Sequence, residues 1–321
     1  MPEKMPNWFE KFGYGDFIWL EHHKPCCAKM MKGDKFFREI DSNCWEPKDR
    51  IIDMDKTDVD VQVLSTIPVL FNYWAKPQHG NDTARFLNDH IAQCVELHPN
   101  RFMGLGTLPM QDIDMAVSEM ERVVKDLKLP GIEIGSNINQ VNLNDPRFYP
   151  IWEKAEELDC SIFVHPWEMM GSEHIERYWL PWLVGMPAET SRAISSLIFG
   201  GVFEKFPNVK FAFAHGGGEF PATIGRLQHG FDVRPDLCAI DNDKSPRHYL
   251  GHFWVDSLVH DRDSFDLLVK VIGEDKICCG SDYPFPLGEH HPGKLIEQLA
   301  VNDAQKELFL SANALEWLGI K

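Results

Sequence analysis

Short apolar segments alternate with helical patterns along most of this chain. The apolar segments are hydrophobic throughout, without polar alternation, which is typical of parallel strands buried on both faces. Between them lie segments with apolar residues at helical spacing, such as Leu87, Ile91 and Val95. The predicted strands are Val61–Ser65, Phe102–Thr107, Gly131–Gly135, Ser161–His165, Val209–His215, Phe253–Asp256 and Lys276–Ser281.

This repeat of strand and helix predicts an α/β fold, a (β/α)8 TIM barrel with one strand uncounted. A helix is predicted at about 48–56, ahead of the first candidate strand, and a strand should precede it. Residues 1–47 are polar, rich in glycine and aromatics, and contain no convincing buried strand. Either the leading strand is hidden there or the chain begins after it. We expect an N-terminal insertion region over 1–47 and a single barrel domain over 48–321.

Composition and charge narrow the class of protein. The chain has 321 residues, 44% of them hydrophobic and 25% charged, as in ordinary globular proteins. The net charge of −17 repels polyanions, so no nucleic-acid partner is expected. No apolar run reaches the length of a membrane span, and the N-terminus lacks the apolar core of a secretory signal. The eight cysteines form no C-x-x-C motif. We therefore expect a cytosolic enzyme with reduced thiols.

Candidate chemistry lies at the carboxyl ends of the predicted strands, where βα barrels place their active sites. His165 ends a strand in SIFVHPWE, His215 ends one in KFAFAHGGGEF, and Asp282 follows one in KICCGSDYPF. Imidazole and carboxylate suit zinc, so His165 and Asp282 are candidate metal ligands. His215 is a candidate general base. The alternative is a hydrogen-bonded histidine at the rim, a tight turn, and an aspartate that caps a helix.

Other residues are candidates for substrate binding. Arg38 in KFFRE and Arg226 in the helix after HGGG could each bind a carboxylate. Trp182, with Trp179, lies in the apolar stretch RYWLPWLVGMPAE and could line a pocket for a planar substrate. The alternatives are solvated arginines, and tryptophans in the core or in a dimer contact.

Several motifs together resemble a known family. FVHPW, AHGGG and GSDYPFPLGE, in this order at strand ends, are similar to the decarboxylase branch of the amidohydrolase superfamily. Further stretches, including FGYG, NCWEP and YWLPWLVGMPAET, extend the resemblance from Pro2 to about Gly319. It implies a zinc-dependent, non-oxidative decarboxylase without an organic cofactor. It also implies a small dicarboxylate substrate from the cytosolic kynurenine branch of tryptophan catabolism, whose removal limits quinolinate formation.

The resemblance also implies a role for each candidate residue. His165 and Asp282 match metal ligands, and His215 matches the acid/base that activates a metal-bound water. Arg38 and Trp182 match positions that contact the substrate. Arg226 matches an arginine that reaches the neighbouring subunit's site, which implies a homodimer.

The sequence departs from the family at its N-terminus. The family has two more metal ligands in an H-x-H motif at the end of its first strand, and this sequence contains no H-x-H. The strand that is missing from the predicted barrel is the one that carries the H-x-H ligands in the family. We therefore expect weakened zinc binding and two unpaired sheet edges. Three hypotheses follow. The natural protein has a longer N-terminus, or the chain is an inactive isoform that only dimerises, or it is a related aromatic-acid decarboxylase or hydrolase.

Overall fold

The computed structural model describes residues 1–320, which form two compact units. The first unit spans Met1–Glu133, and the second starts at Ile134. Strands and helices alternate in both. The first unit contains helices α1 (Trp8–Phe12), α2 (Pro47–Lys56), α3 (Pro77–Leu97) and α4 (Ile113–Lys125), and strands β1 (Ile18–Lys24), β2 (Cys27–Lys32), β3 (Lys35–Asp41), β4 (Gln62–Leu64), β5 (Phe102–Thr107) and β6 (Gly131–Gly135), which crosses the boundary.

The second unit continues the alternation after β6. Its short strands β7 and β8 form a hairpin, and the remaining strands are separated by helices. Its elements are β7 (Asn137–Ile138), β8 (Val141–Asn142), α5 (Tyr149–Leu158), β9 (Ser161–His165), α6 (Met186–Phe199), α7 (Val202–Lys205), β10 (Phe211–Phe213), α8 (Phe220–Val233), α9 (Pro235–Cys238), β11 (Trp254–Asp256), α10 (Arg262–Val271), β12 (Ile277–Cys278), α11 (Lys294–Glu297), α12 (Asp303–Glu307) and α13 (Asn313–Leu318).

The main sheet has seven strands in the order β12, β11, β10, β9, β6, β5, β4. All seven predicted strands are present, and β5, β6 and β9 have the predicted bounds. Strands β4, β10, β11 and β12 are shorter than predicted. The last predicted residues of β10 and β12 turn away from the sheet towards the site described below, whereas β11 ends at Asp256 as predicted. This is the strand order of a (β/α)8 barrel without its first strand, so the predicted fold class is confirmed.

The N-terminal region contains strands that the sequence did not reveal. β1, β2 and β3 form a separate antiparallel sheet, and within residues 1–320 none of them pairs with the seven-stranded sheet. Burial alternates in β2, where Ala28 and Met30 are buried and their neighbours are more exposed, whereas β1 and β3 are mostly exposed or half-buried. The first 47 residues therefore do not hide the leading barrel strand. No helix in the described part of the chain is both long and apolar enough to span a membrane.

A buried carboxylate joins α3 and α4 in the first unit. Glu119 on α4 is almost fully buried, and it accepts hydrogen bonds from Arg85 Nη1 at 2.9 Å, Asn88 Nδ2 at 2.8 Å and Arg122 Nη2 at 2.7 Å. Asn88 also pairs with both backbone groups of Thr107, at the end of β5. The carboxylate therefore ties two helices to a strand end, and it raises the pKa of Arg122.

We predict that Glu119→Ala lowers the free energy of unfolding by about 3 kcal/mol, because the buried Asn88 amide and the half-buried Arg122 lose their shared acceptor. Only the exposed Asp89 still pairs with Arg122. Urea denaturation measures the change. The control is Glu121→Ala on the same helix, since Glu121 pairs with Lys125 on the surface and should contribute less than about 1 kcal/mol. Equal losses in the two variants would contradict this account of the core.

Candidate metal centre

Three side chains that the sequence placed at strand ends lie together in the second unit. His165 is the last residue of β9, His215 follows β10 by two residues, and Asp282 follows β12 by four. One ligand atom from each lies within 4.8 Å of the others. The rings of His165 and His215 meet edge to face, with centroids 5.0 Å apart. Because parallel strands end at the same edge of a sheet, these short segments converge.

The tautomer of His165 is fixed by its neighbour. Its Nδ1 lies 2.9 Å from the carbonyl oxygen of Pro166, and since a carbonyl only accepts, Nδ1 carries the hydrogen. Nε2 is left with its lone pair. Burial, and after it the proximity of His215, lowers the pKa of His165 to about 3. The ring is therefore neutral at physiological pH and can coordinate a metal ion through Nε2. Its Nδ1–H is hydrogen-bonded to a carbonyl oxygen, as in most metal-bound histidines.

His215 sits on a tight left-handed turn. Its φ is +57°, and Gly216, Gly217 and Gly218 continue with φ between +63° and +75°. Such a run requires glycine, or a residue held in place by other contacts, since a side chain disfavours this region. The contacts that hold His215 in this conformation come from Asp256. Its carboxylate accepts hydrogen bonds from the backbone N–H groups of His215 at 2.8 Å and Gly216 at 2.9 Å.

A second buried carboxylate holds the loop after His165. Glu189, at the start of α6, is fully buried and accepts from Ser136 Oγ at 3.1 Å, Asn137 Nδ2 at 3.0 Å and Met170 N at 3.2 Å. Asn137 Nδ2 also donates to the carbonyl of Trp167 at 2.6 Å. The loop that leaves β9 is therefore fixed at two points just beyond the histidine.

The sequence analysis did not identify Asp256 or Glu189. Asp256 could have been found, because it is the last residue of a predicted strand, and the rule that selected His165 applies to it equally. Glu189 gave a weaker signal, a single acidic residue at the end of the apolar stretch that runs into α6. Apart from Arg192 on the same helix, its partners come from distant parts of the chain, so only the fold reveals its role.

The paired cysteines at the end of β12, Cys278 and Cys279, are not part of this cluster of ligand atoms. Burial raises the pKa of the Cys279 thiol to about 12 and raises that of Cys278 as well, so both stay protonated at neutral pH. Burial likewise raises the pKa of Glu289, which accepts a hydrogen bond from the backbone of Gly293 at 3.2 Å. Cys278 is a small buried residue of the strand, and Cys279 just beyond it is half-buried.

The donor set fits a divalent metal ion. Two imidazoles and one carboxylate are ligands for zinc, and the same set also suits manganese or iron. His165 has an unprotonated Nε2 available to coordinate the ion. Within residues 1–320 this is the one cluster of three such ligands.

The substrate-binding candidates lie in different places. Trp182 is half-buried on a π-helical turn, Pro181–Gly185, with its ring centroid 6.1 Å from that of Trp179. Arg226 is exposed on α8, the helix that follows the glycine turn. Arg38 lies on β3 in the first unit, half-buried, with its guanidinium 5.9 Å from the ring centre of Phe37. The substrate contacts of all three stay predictions, as do the separate roles of the three clustered residues.

Comparisons with known proteins identify the family of this chain. The model of the amidohydrolase family matches residues 21–320. The 2-amino-3-carboxymuconate-6-semialdehyde decarboxylase of Dictyostelium discoideum is 57% identical over 321 residues, which covers 100% of this chain and 89% of that protein. The solved structure of 5-carboxyvanillate decarboxylase from Sphingomonas paucimobilis is 26% identical, has a TM-score of 0.79, and is matched over 85% of this chain and 83% of its own.

A further solved structure contains a metal ion. A mutant of 5-carboxyvanillate decarboxylase from Novosphingobium aromaticivorans was solved with bound manganese. It is 25% identical to this chain, with a TM-score of 0.77 and coverage of 86% and 82% of the two chains.

The chain therefore belongs to the amidohydrolase family, and within it to the 2-amino-3-carboxymuconate-6-semialdehyde decarboxylases. The relatives described above are decarboxylases, so its class of activity is that of a carboxy-lyase.

We predict that His165→Ala and Asp282→Ala each weaken Mn²⁺ or Zn²⁺ binding by at least about 100-fold, because each removes a direct ligand. Isothermal titration of the dialysed protein measures the affinity. His174→Ala is the matched control, since His174 lies on the surface of the same unit. Unchanged affinity in the first two variants would show that the metal binds elsewhere.

Proposed function

We propose that this chain converts 2-amino-3-carboxymuconate 6-semialdehyde into 2-aminomuconate 6-semialdehyde and CO2 by metal-dependent, non-oxidative decarboxylation. The observation that carries the proposal is the 57% identity to the Dictyostelium discoideum enzyme, which extends over the whole chain. The second candidate is decarboxylation of an aromatic acid such as 5-carboxyvanillate. The solved relative with that activity is only 26% identical, so this candidate is the weaker one.

The reaction replaces a carboxylate by a proton on the same carbon atom. The C–C bond breaks, CO2 leaves, and the electron pair stays on carbon until a proton is delivered. His165 and Asp282 would hold a divalent ion, which would supply Lewis-acid chemistry by acidifying water and polarising a substrate oxygen. His215 holds the proton on the ring nitrogen that faces the other two residues and transfers it as acid/base. In this proposal the ring reaches the metal's surroundings because the left-handed turn directs it there.

The remaining assignments follow from the charge and shape of the substrate. Arg38 and Arg226 bind its two carboxylates through charge-assisted hydrogen bonds, and Trp182 faces its conjugated chain. Zinc is the proposed natural ion, although the manganese in the Novosphingobium aromaticivorans relative supports only a divalent ion in general. The working form is a homodimer in the cytosol, in the kynurenine branch of tryptophan catabolism, where turnover limits quinolinate formation.

We predict that the metal-loaded chain consumes this substrate and that His215→Ala lowers kcat by about 10²–10⁴-fold, the usual contribution of a general acid/base. Loss of substrate absorbance and trapped CO2 measure turnover. His229→Ala is the control, since His229 is exposed on α8. Turnover of 5-carboxyvanillate without turnover of the semialdehyde would instead favour the second candidate.

We predict that Arg226→Ala costs about 2–4 kcal/mol in transition-state binding and that the residue serves the partner's site. Subunit mixing tests the sharing. A heterodimer of Arg226→Ala and His215→Ala subunits combines both defects in one site and leaves the other site intact. Activity near half that of the wild-type dimer is expected. Confirmed heterodimers without recovered activity would show that Arg226 acts on its own subunit or not at all.

A further inference from the structure

Asp256 is a buried carboxylate, and its hydrogen bonds all go to backbone N–H groups around the candidate metal centre. It ends β11 and is 8% exposed. Its Oδ2 accepts from His215 N at 2.8 Å, and its Oδ1 accepts from Gly216 N at 2.9 Å and Leu258 N at 3.0 Å. A buried carboxylate must be compensated by donors of this kind, and here two of the three belong to the turn that carries His215.

The turn at His215 needs such a partner. His215 and Gly216 both have positive φ, with values of +57° and +63°, so their two successive N–H groups point towards the same side of the chain. A concave pair of N–H groups of this kind is an anion-binding arrangement. The anion that occupies it is the Asp256 carboxylate, with one oxygen on each N–H. The carboxylate therefore stabilises a backbone conformation that histidine disfavours on its own.

Asp256 also packs against the segment that carries Asp282. A Cβ placed on Gly280 would lie 2.6 Å from Asp256 Cβ and 2.8 Å from Asp256 Cγ, so only glycine fits this close approach. The N–H of Gly280 donates to Ser257 Oγ at 3.2 Å, which fixes the approach from the other side. Gly280 precedes Asp282 by two residues. The end of β11 thus contacts the backbone segments of two of the three clustered residues.

We propose that Asp256 is a positioning residue that sets the relative placement of His215 and Asp282 at the metal centre. It acts through the backbone of the glycine turn and through van der Waals contact with Gly280, not by touching the substrate. The inference deepens the proposed function, because its consequence for catalysis rests on His215 and Asp282 having the proposed roles. Its consequence for metal binding and for the turn itself does not depend on the substrate.

Asp256→Asn is the sharpest variant, because it keeps the size of the side chain. The amide oxygen can still accept from Gly216 and Leu258, but an amide NH2 then faces the N–H of His215, and two donors repel each other. We expect Mn²⁺ affinity to fall by about 10–100-fold, the range typical when groups that orient ligands are removed. We expect kcat with saturating metal to fall by a similar factor, with KM changed less than about threefold, since the substrate contacts stay in place.

Gly280→Ala is the second variant. It disturbs the same contact between Gly280 and Asp256 by adding a Cβ to Gly280. It should reproduce the loss of Mn²⁺ affinity without altering any hydrogen-bonding group. Asp261→Asn is the matched control, because Asp261 also accepts a backbone N–H, that of Ser264 at 2.9 Å, but at the exposed start of α10. It should leave Mn²⁺ affinity, kcat and KM unchanged.

Hydrogen exchange separates positioning from a general loss of stability. In Asp256→Asn the amides of His215 and Gly216 should exchange faster, whereas those of β9 and β10 should keep wild-type rates. Faster exchange throughout the second unit, with wild-type Mn²⁺ affinity in the folded protein, would reduce Asp256 to a stability role and overturn the proposal. Wild-type exchange at the turn together with wild-type Mn²⁺ affinity would also overturn it.

The test distinguishes this inference from the proposed function. A wild-type chain that binds Mn²⁺ but does not decarboxylate the semialdehyde would overturn the substrate assignment, and the affinity and exchange comparisons would still decide the role of Asp256. A wild-type chain that binds no Mn²⁺ would overturn both the metal centre and the positioning role towards it.

Discussion

The central strands of the second unit are buried on both faces, and this constraint determines where the molecule can place polar chemistry. β10 and β11 are buried along their whole length, and β9 is interrupted only by the half-buried Phe163. A polar side chain within such a strand would lose its contact with water, so chemistry is confined to the strand ends. His165, His215 and Asp282 meet there because three strands stop at the same edge. Their proximity follows from the arrangement of the strands in the sheet and requires no further structural element.

The same constraint explains why so much could be predicted from the sequence. Strands buried on both faces are continuous apolar runs, so all seven were visible and three had the observed bounds. A polar residue that terminates an apolar run then marks the edge where chemistry occurs, which is why His165, His215 and Asp282 were found. The N-terminal antiparallel sheet was missed because its strands are only partly buried and include exposed aromatic residues such as Phe36. Their pattern resembles that of a polar loop.

Residues that hold the site could not be predicted as readily as residues that form it. Glu189 pairs with Arg192 on its own helix, but its other partners, Ser136, Asn137 and Met170, lie up to 53 residues away along the chain. No local pattern connects them, since a hydrogen bond between loops depends on how the strands bring those loops together. Asp256 is the intermediate case. Its place at a strand end could be predicted from the sequence. Its role depends on the left-handed turn at His215, and the pattern of apolar and polar residues does not predict backbone dihedral angles.

Two buried carboxylates therefore support the two histidines by the same physical means. Glu189 binds groups that fix the loop after His165, and Asp256 binds the N–H groups of the turn at His215. Each carboxylate accepts at least three hydrogen bonds from protein donors, so its charge is compensated locally. This leaves Asp282 as the carboxylate of the cluster whose ligand atom faces the two imidazoles. A site built this way keeps its anionic supports saturated by backbone, amide and hydroxyl groups and, at Glu189, by the guanidinium of Arg192 at 2.7 Å. At the proposed metal centre a cation would then meet only the ligands at the strand ends, because the two supporting carboxylates are already paired with protein groups and would not compete for it.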